Sequence, residues 1–214
     1  MVGGEPLLLN ENIKLLEYLP NDCNVNLISN GNVDFNTNKV FNALSQKNNV
    51  SWDISFDNVK EKFEYVRHGG KWDLLVDNIK KISKLKGHSI GIHAVYNLYN
   101  CTNLCELKEF ALENELPITW QSITTHPLYA LDSFNYGTEI TQLAINEINK
   151  LQENYTLNNN EQTFFEGAIK IYNKIKNPNK EMLNQLTKFI NYIENINTDQ
   201  KENFYKLWPE FKIA

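Results

Sequence analysis

The sequence predicts an α/β protein in which parallel strands alternate with helices and form part of a barrel, followed by a helical C-terminal region. Three observations predict this fold: four short runs rich in β-branched and aromatic residues, amphipathic segments between them, and a spacing of roughly 30 residues between runs. Such alternation produces βαβ units, whose right-handed crossovers place successive strands side by side. We expect a boundary near residue 137, between a partial barrel, 1–137, and a helical region, 138–214.

Each predicted strand is an apolar run bounded by turn-forming or charged residues, as is typical of strands in α/β proteins. The segments between the runs place apolar side chains three and four positions apart, which predicts helices. We therefore predict four parallel strands, adjacent in sequence order, at 24–29, 50–56, 89–96 and 118–124. The helices expected between and beside them are 12–19, 37–45, 73–85 and 102–112.

Composition excludes several classes of protein. A hydrophobic fraction of 42% in 214 residues is that of a folded protein, and a net charge of -5 argues against a nucleic-acid partner. No apolar run is long enough to span a membrane, and Met1 to Leu9 lack the charged start of a signal peptide. Three cysteines are an odd number without the spacing of a disulfide framework. We expect a cytoplasmic protein that binds neither nucleic acid nor membrane.

The string Gly3-Gly4-Glu5-Pro6 is the most specific in the chain. Two glycines let a ligand approach the backbone closely, because no Cβ is in the way. Their carbonyl groups and the neighbouring carboxylate are acceptors suited to an ammonium group. Pro6 stiffens the exit into a helix, where its missing N–H costs little. The alternative is a simple turn between a strand and a helix.

Polar side chains also follow the second predicted strand. Ser55 and Asp57 lie two positions apart, so on a strand they share one face, where a hydroxyl and a carboxylate together can bind a diol or an amino acid. Alternatively, Asp57 caps a helix that begins at Asn58. Arg67 can bind a carboxylate in a bidentate manner, or it can be solvated or paired with Glu61 or Glu64.

The remaining candidates have weaker arguments. His93 and Asn97 alternate along the third apolar run, and a buried histidine with satisfied hydrogen bonds is the ordinary interpretation of His93. Cys101 and Cys105 are four positions apart on one face of a predicted helix, without a third cysteine nearby, so packing is favoured over metal binding. Motifs of P-loop enzymes, dinucleotide-binding domains, zinc proteases and serine hydrolases do not occur in the sequence.

Several of these strings resemble motifs of the radical S-adenosylmethionine (SAM) superfamily, in particular its twitch or SPASM-like subgroup. Gly3-Gly4-Glu5-Pro6 resembles the GGEP motif, which closes the second barrel strand and holds the methionine ammonium of SAM. Leu27 to Gly31 (LISNG) is similar to the strand that ends in a (T/S)NG turn. Ile54 to Asp57 (ISFD) resembles the S-x-D strand end that faces the SAM ribose, although Asn58 stands where the family usually has glycine.

Two further segments carry the resemblance. Tyr65-Val66-Arg67, followed by Gly69, Trp72 and Asn78-Ile79, is similar to the Y-(I/V)-R-x-G-x-x-W…N-I segment of the subgroup. The C-terminal residues Phe204, Trp208-Pro209-Glu210 and Phe211 resemble its ending F-x-x-x-(F/W)-P-E-(F/L). The resemblance thus covers most of residues 2–137 and the end of the chain.

The resemblance implies a partial (β/α)6 radical-SAM-type barrel. The parent activity would be reductive cleavage of SAM to a 5′-deoxyadenosyl radical that abstracts hydrogen from an unknown substrate, a peptide or a small metabolite. Arg67 would then bind the SAM carboxylate, and Asn97 would contact the adenosyl group. We expect the implied residues to converge at the carboxyl ends of the strands: Gly3, Gly4, Glu5, Pro6, Ser29, Asn30, Ser55, Asp57, Arg67 and Asn97.

The catalytic cluster of the family has no ligands in this sequence. Radical SAM enzymes hold a [4Fe–4S] cluster with a CxxxCxxC loop that precedes the GGEP strand, and here only Met1-Val2 precede it. We therefore expect a fragment that is truncated at its N-terminus and inactive as given, with the cluster present in the full-length parent only. The alternative function is that of a non-catalytic binding or scaffold protein derived from the same barrel.

Overall fold

The computed structural model of the 214-residue chain describes residues 4–122, 138–174 and 204–212, and the single helical positions 184, 187–188, 190–192 and 195. Statements below concern these residues. Within them, no helix combines the length and the apolar character that a membrane span requires.

A four-stranded parallel sheet forms the centre of the described fold, which confirms the predicted α/β class. The strands are adjacent in sequence order: β1 (Asn24–Ser29), β2 (Asn49–Ser55), β3 (His88–Tyr96) and β4 (Ile118–Ser122). In the parallel register, Leu27 lies opposite Trp52, and Ser55 lies opposite His93. Each strand begins within one residue of its predicted start, and the predicted positions 123–124 lie outside the described residues.

Helices connect and follow the strands. The structure contains α1 (Glu11–Tyr18), α2 (Lys39–Leu44), α3 (Lys60–Val66), α4 (Trp72–Ile82), α5 (Leu104–Glu113), α6 (Thr138–Asn154), α7 (Asn159–Tyr172) and a short helical turn (Phe204–Leu207). Pro6–Leu8 and Pro209–Phe211 form 3₁₀ turns that begin at a proline. The predicted boundary near residue 137 falls on residues that the structure does not describe.

Asparagine side chains define where two of the helices begin. Asn38 accepts a hydrogen bond from the Phe41 N–H at the start of α2, at 2.8 Å. Before α7, the Asn158 side chain accepts from the backbone of Glu161, whose carboxylate accepts in return from the Asn158 N–H. These side chains satisfy backbone donors that have no partner within the first turn of a helix.

The prediction that Cys101 and Cys105 share one face of a helix was wrong. Helix α5 begins at Leu104, so Cys101 lies in the turn before it and does not share a helix face with Cys105. The physical reason is local: the N–H groups of Asn100 and Cys101 both donate to Asn97 O, and Asn103 N–H donates to Asn100 O. These turns occupy the positions that the apolar spacing had assigned to the helix.

The described residues divide into two compact units. The first comprises Met1–Phe56, Gly69–Ala94 and Ala111–Thr119, and it contains the pairing of β1 with β2 and of β2 with β3. Alternate residues of β1 and β2 are buried, while Asn26 and Ser51 on the other face are exposed. Its aromatic core includes Phe35, which stacks on Phe41 with ring centroids 4.1 Å apart.

The second unit comprises Asp57–His68, Val95–Phe110 and Trp120–Ala214. Side chains from the end of β3, from α5, α6 and α7, and from the C-terminal segment form its core. Polar side chains are also paired inside this unit. The hydroxyl groups of Tyr96 and Tyr172 are hydrogen-bonded at 2.9 Å, and buried Lys108 pairs with buried Glu161, with Nζ 2.7 Å from Oε1.

Candidate functional site

Glu5 connects the N-terminal string to the end of β1 in the first unit. Its Oε1 accepts a hydrogen bond from Ser29 Oγ at 2.7 Å and one from the Leu7 N–H at 3.2 Å. Its Oε2 accepts from the Asn30 N–H at 2.8 Å. The structure thus brings together Glu5, Ser29 and Asn30, three of the residues that the resemblance implies for SAM. Glu5 itself is half-buried.

The residues on either side of Glu5 form a turn that leads into the 3₁₀ turn Pro6–Leu8. Gly4 has a φ of +60°, and nothing lies within 4 Å of the place where a Cβ would stand. Pro6 is buried and begins a 3₁₀ turn whose first N–H donor, that of Leu7, is bound by the Glu5 side chain. Gly3 lies outside the described residues.

The turn after β1 requires glycine. Gly31 has a φ of +63°, a region that L-residues with a side chain rarely adopt. A Cβ there would also stand 2.9 Å from Leu75 and 3.0 Å from Ile54. The buried Asn78 of α4 donates from Nδ2 to Gly31 O at 2.9 Å and to Val33 O at 2.7 Å, and thereby holds the turn. The sequence analysis named Asn78 only as a member of the N-I motif and did not predict that it holds this turn.

Ser55 is the last residue of β2 and is half-buried. It lies opposite His93 of β3, which is also half-buried. Both belong to the first unit, as do Glu5 and Ser29. Parallel strands end at the same edge of their sheet, so the ends of β1 and β2 share one edge within this unit.

Asp57 belongs to the second unit and is buried. Its Oδ1 accepts a hydrogen bond from the Val95 N–H at 2.7 Å, and its Oδ2 lies 3.7 Å from Arg67 Nη2. The alternative that Asp57 caps a helix starting at Asn58 was wrong, because α3 begins at Lys60 and Val59 is its N-cap. The structure therefore joins Asp57 and Arg67, two further members of the predicted set.

Arg67 follows the last residue of α3 as its C-cap, and its side chain is about a third exposed. It is the single arginine of the chain, among 20 lysines. The guanidinium group differs from an ammonium group in its planar, forked set of donors, which fits a carboxylate in a bidentate manner. The single arginine among so many lysines is visible in the sequence and singles out position 67 independently of the motif.

Asn97 is buried, and its side chain forms hydrogen bonds to backbone groups two residues away on either side. Its Nδ2 donates to Val95 O and its Oδ1 accepts from the Tyr99 N–H, both at 2.8 Å. Asn100, which the sequence interpretation missed, donates to Val95 O at 2.8 Å and to Asp57 O at 3.3 Å. Both asparagines thus shape the turn after β3 that supports Asp57. A spacing of three positions from Asn97 to Asn100 to Asn103 was the signal in the sequence.

The cysteines do not fit an iron–sulfur cluster. Cys101 and Cys105 are buried, and burial away from water raises the pKa of both thiols, that of Cys105 to about 12. A cluster needs thiolate ligands, which such surroundings disfavour. Within the described part of the chain, no three His, Cys, Asp or Glu side chains lie close enough to hold a metal ion.

Comparison with known proteins identifies no relative of this chain. No protein-family model matches the chain, and no match is found among the curated proteins or the solved structures.

Proposed function

We propose that the chain forms the SAM-binding part of a radical-SAM-type (β/α)6 barrel. The observation that carries the proposal is the pair of hydrogen bonds from the Glu5 carboxylate to Ser29 and Asn30. These bonds join two strings, GGEP and SNG, that resemble the same family independently in the sequence. This contact between the two strings supports the proposal.

The other strings of the resemblance are also joined, each within its own unit. In the first unit, Asn78 of the N-I string donates to the carbonyl of Gly31 in the SNG string. In the second unit, Arg67 of the Y-V-R string pairs with Asp57 of the S-x-D string. There too, Tyr65 packs against Trp208 of the C-terminal string, with ring centroids 5.4 Å apart. These contacts support the proposal because, within each unit, residues of different strings bind or pack against one another.

The Glu5 carboxylate has the chemistry to bind an ammonium group. Its Oε2 accepts one hydrogen bond among the described residues, and a carboxylate oxygen can accept two. The preceding residue, Gly4, is exposed, with open space where a side chain would stand, so that a ligand can approach the backbone carbonyl. In this proposal, Glu5 and Gly4 bind the methionine ammonium of SAM. For the second unit by itself, the resemblance implies that Asp57 faces the ribose and that Arg67 binds the carboxylate of SAM.

The proposal assigns no radical chemistry to these 214 residues, because their cysteines do not fit the cluster. The second candidate, a non-catalytic binding or scaffold protein of the same descent, is favoured by the same contacts. The Glu5 Oε1 already accepts two hydrogen bonds and Asp57 Oδ1 accepts one from the backbone, as purely structural carboxylates do. The two candidates differ in whether the chain binds SAM.

Titration calorimetry with SAM distinguishes the two candidates. We expect wild-type chain to bind SAM, and we expect Glu5→Gln to weaken binding about 10- to 150-fold, equivalent to roughly 1.5–3 kcal/mol for a lost charged hydrogen bond. Glu11→Gln is the matched control, since Glu11 is an exposed carboxylate in the first turn of α1. Arg67→Lys and Asp57→Asn test the second unit separately, and we expect each to weaken binding by a comparable factor.

Folding must be checked in the same samples, because glutamine at position 5 would turn an N–H group towards a backbone donor. Circular dichroism at the titration temperature serves this purpose. Folded wild-type chain that shows no heat of binding at millimolar SAM would refute the proposed function and favour the scaffold. An equal loss of affinity in Glu11→Gln and Glu5→Gln would refute the role of Glu5.

A further inference from the structure

The C-terminal segment 204–211 is inserted into the core of the second unit. Trp208 and Phe204 are almost completely buried, with 0% and 1% of their surfaces exposed, and Phe211 is buried as well. The rings of Phe204 and Trp208 pack on each other with centroids 5.1 Å apart. A segment of eight residues that buries three aromatic side chains contributes substantially to the core.

The first consequence of this insertion concerns α3. Tyr65 of this helix packs edge-on against Trp208, with centroids 5.4 Å apart, and against Phe204 at 6.0 Å. Tyr65 stands two positions before Arg67, whose backbone N–H donates to Phe63 O at 2.8 Å. A helix of seven residues has little stability of its own, so its position depends on such tertiary contacts.

The second consequence concerns the residue next to Asp57. Trp208 Nε1 donates to Tyr99 O at 2.9 Å and lies 3.4 Å from Asn103 Oδ1. Asn103 in turn donates from Nδ2 to Asn58 Oδ1 at 2.8 Å. The indole N–H thus orients the Asn103 amide, and Asn103 holds the residue that directly follows Asp57.

A further hydrogen bond holds the segment in place. Thr102 Oγ1 donates to Glu210 Oε1 within the same unit. Thr102 lies between Asn100, which donates to Asp57 O, and Asn103, which donates to Asn58. Both ends of the segment therefore contact the structure around the Asp57–Arg67 pair.

We propose that residues 204–211 form a brace that sets the position of the Asp57–Arg67 ion pair, with Trp208 as its central positioning residue. The brace acts on Arg67 through Tyr65 and on Asp57 through Asn103 and Asn58. The pair needs such support: Arg67 Nη2 lies 3.7 Å from Asp57 Oδ2, and an arginine that is about a third exposed loses side-chain entropy when it is held in one place. The effect of the brace on SAM binding rests on the proposed function, whereas its effect on the ion pair does not.

Nuclear magnetic resonance tests the brace without any ligand. Because Arg67 is the only arginine, its Nε–H group gives one assignable signal in its spectral region. The hydrogen-exchange rate of the Val95 amide reports on Asp57, which accepts its hydrogen bond. The variants are Trp208→Phe, which keeps an aromatic ring but removes the indole N–H, and Thr102→Val, which replaces the hydroxyl with a methyl group of similar size. The matched control is Trp52→Phe, which removes the indole N–H of an equally buried tryptophan in the first unit.

We expect Trp208→Phe and Thr102→Val to displace the Arg67 Nε–H signal and to accelerate exchange of the Val95 amide about tenfold, the effect of one lost hydrogen bond. Trp52→Phe should leave both readouts unchanged. The brace is overturned if Trp208→Phe leaves both as in wild type, or if Trp52→Phe moves them equally through general loosening. If Trp208→Phe does not fold, Thr102→Val decides by the same criteria.

A parallel titration separates this inference from the proposed function. If wild-type chain binds SAM, Trp208→Phe should weaken binding while Trp52→Phe does not. If wild-type chain does not bind SAM, the proposed function fails, and the two signals of the free protein still decide whether the brace exists.

Discussion

At the scale of single residues, the start of β3 shows how one histidine satisfies a buried donor. Trp52 is almost fully buried, and its Nε1–H donates to His88 Nδ1 at 3.0 Å. His88 Nε2 lies 3.1 Å from Lys47 O, so the neutral ring with its proton on Nε2 satisfies both contacts. Burial lowers the pKa of His88, and the hydrogen bond to Lys47 O only partly opposes this effect.

This arrangement predicts that the protein loses stability in mild acid. The folded state binds a proton on His88 less readily than the unfolded state does. The contribution of neutral His88 to the free energy of unfolding is therefore complete above the unfolded pKa of about 6.5, and it is lost as the pH falls from there through the lower pKa of the folded state. Protonation would also turn an N–H towards the Trp52 donor. We expect the urea midpoint of wild type to fall more between about pH 8 and about pH 5 than that of His88→Gln. Parallel curves for the two proteins would contradict the assignment.

At the scale of elements, glycines determine how the strands connect. Gly31 follows the Ser29–Asn30 end of β1, and Gly69 follows α3, both with positive φ values of +63° and +77°. Of these two, Gly31 is also confined by packing, since a Cβ there would meet Leu75 and Ile54 within 3.0 Å, whereas Gly69 has open space. The turn that presents Asn30 to Glu5 thus depends both on a left-handed backbone and on a missing side chain.

Alanine substitution separates these two requirements. Gly69→Ala should destabilise the protein by about 1–2 kcal/mol, the cost of a left-handed L-residue. Gly31→Ala carries the same cost plus about 1–3 kcal/mol from overpacking against Leu75 and Ile54. Urea denaturation of both variants measures the difference. Equal losses of stability would mean that the core around α4 yields without cost, contrary to the packing seen here.

At the scale of the whole molecule, the chain assembles two compact units from three stretches each, and the candidate residues belong partly to one unit and partly to the other. Glu5 and Ser29 belong to the first unit, and Asp57 and Arg67 belong to the second. The cysteines follow a different pattern: Cys101 and Cys105 are buried in the core of the second unit, whereas Cys23 lies half-buried in the first.

These positions predict that the 214-residue chain does not assemble a [4Fe–4S] cluster. After anaerobic reconstitution with iron and sulfide, we expect substoichiometric iron and no brown absorbance, because three closely spaced thiolates are required. The Cys101→Ala and Cys105→Ala variants should give the same result as wild type. Stoichiometric iron and sulfide that disappear in either variant would show that the buried thiols can become ligands.

The sequence by itself determined the α/β class, the order of the four strands, and the ends of β1 and β2 at which the LISNG and ISFD strings lie. These features depend on periodicity over a few residues and on the length of chain between elements, which are local properties. Local reasoning erred where side chains bond to nearby backbone, since Cys101 lies in an asparagine-rich turn before α5 and not on the helix. The alternative in which Asp57 caps a helix at Asn58 was wrong because the Asp57 carboxylate binds the remote Val95 N–H.

The tertiary structure alone decided which partners each candidate residue has. Glu5 meets Ser29 across 24 positions, Asp57 meets the Val95 N–H across 38, and Trp208 meets Tyr99 O across 109. Hydrogen bonds form only within about 3 Å, and the pattern of neighbouring residues contains no information about distances between remote segments. The sequence therefore shows that a carboxylate follows a strand. Which of its oxygen atoms support the backbone, and which can accept a bond from a ligand, depends on the packing of the folded chain.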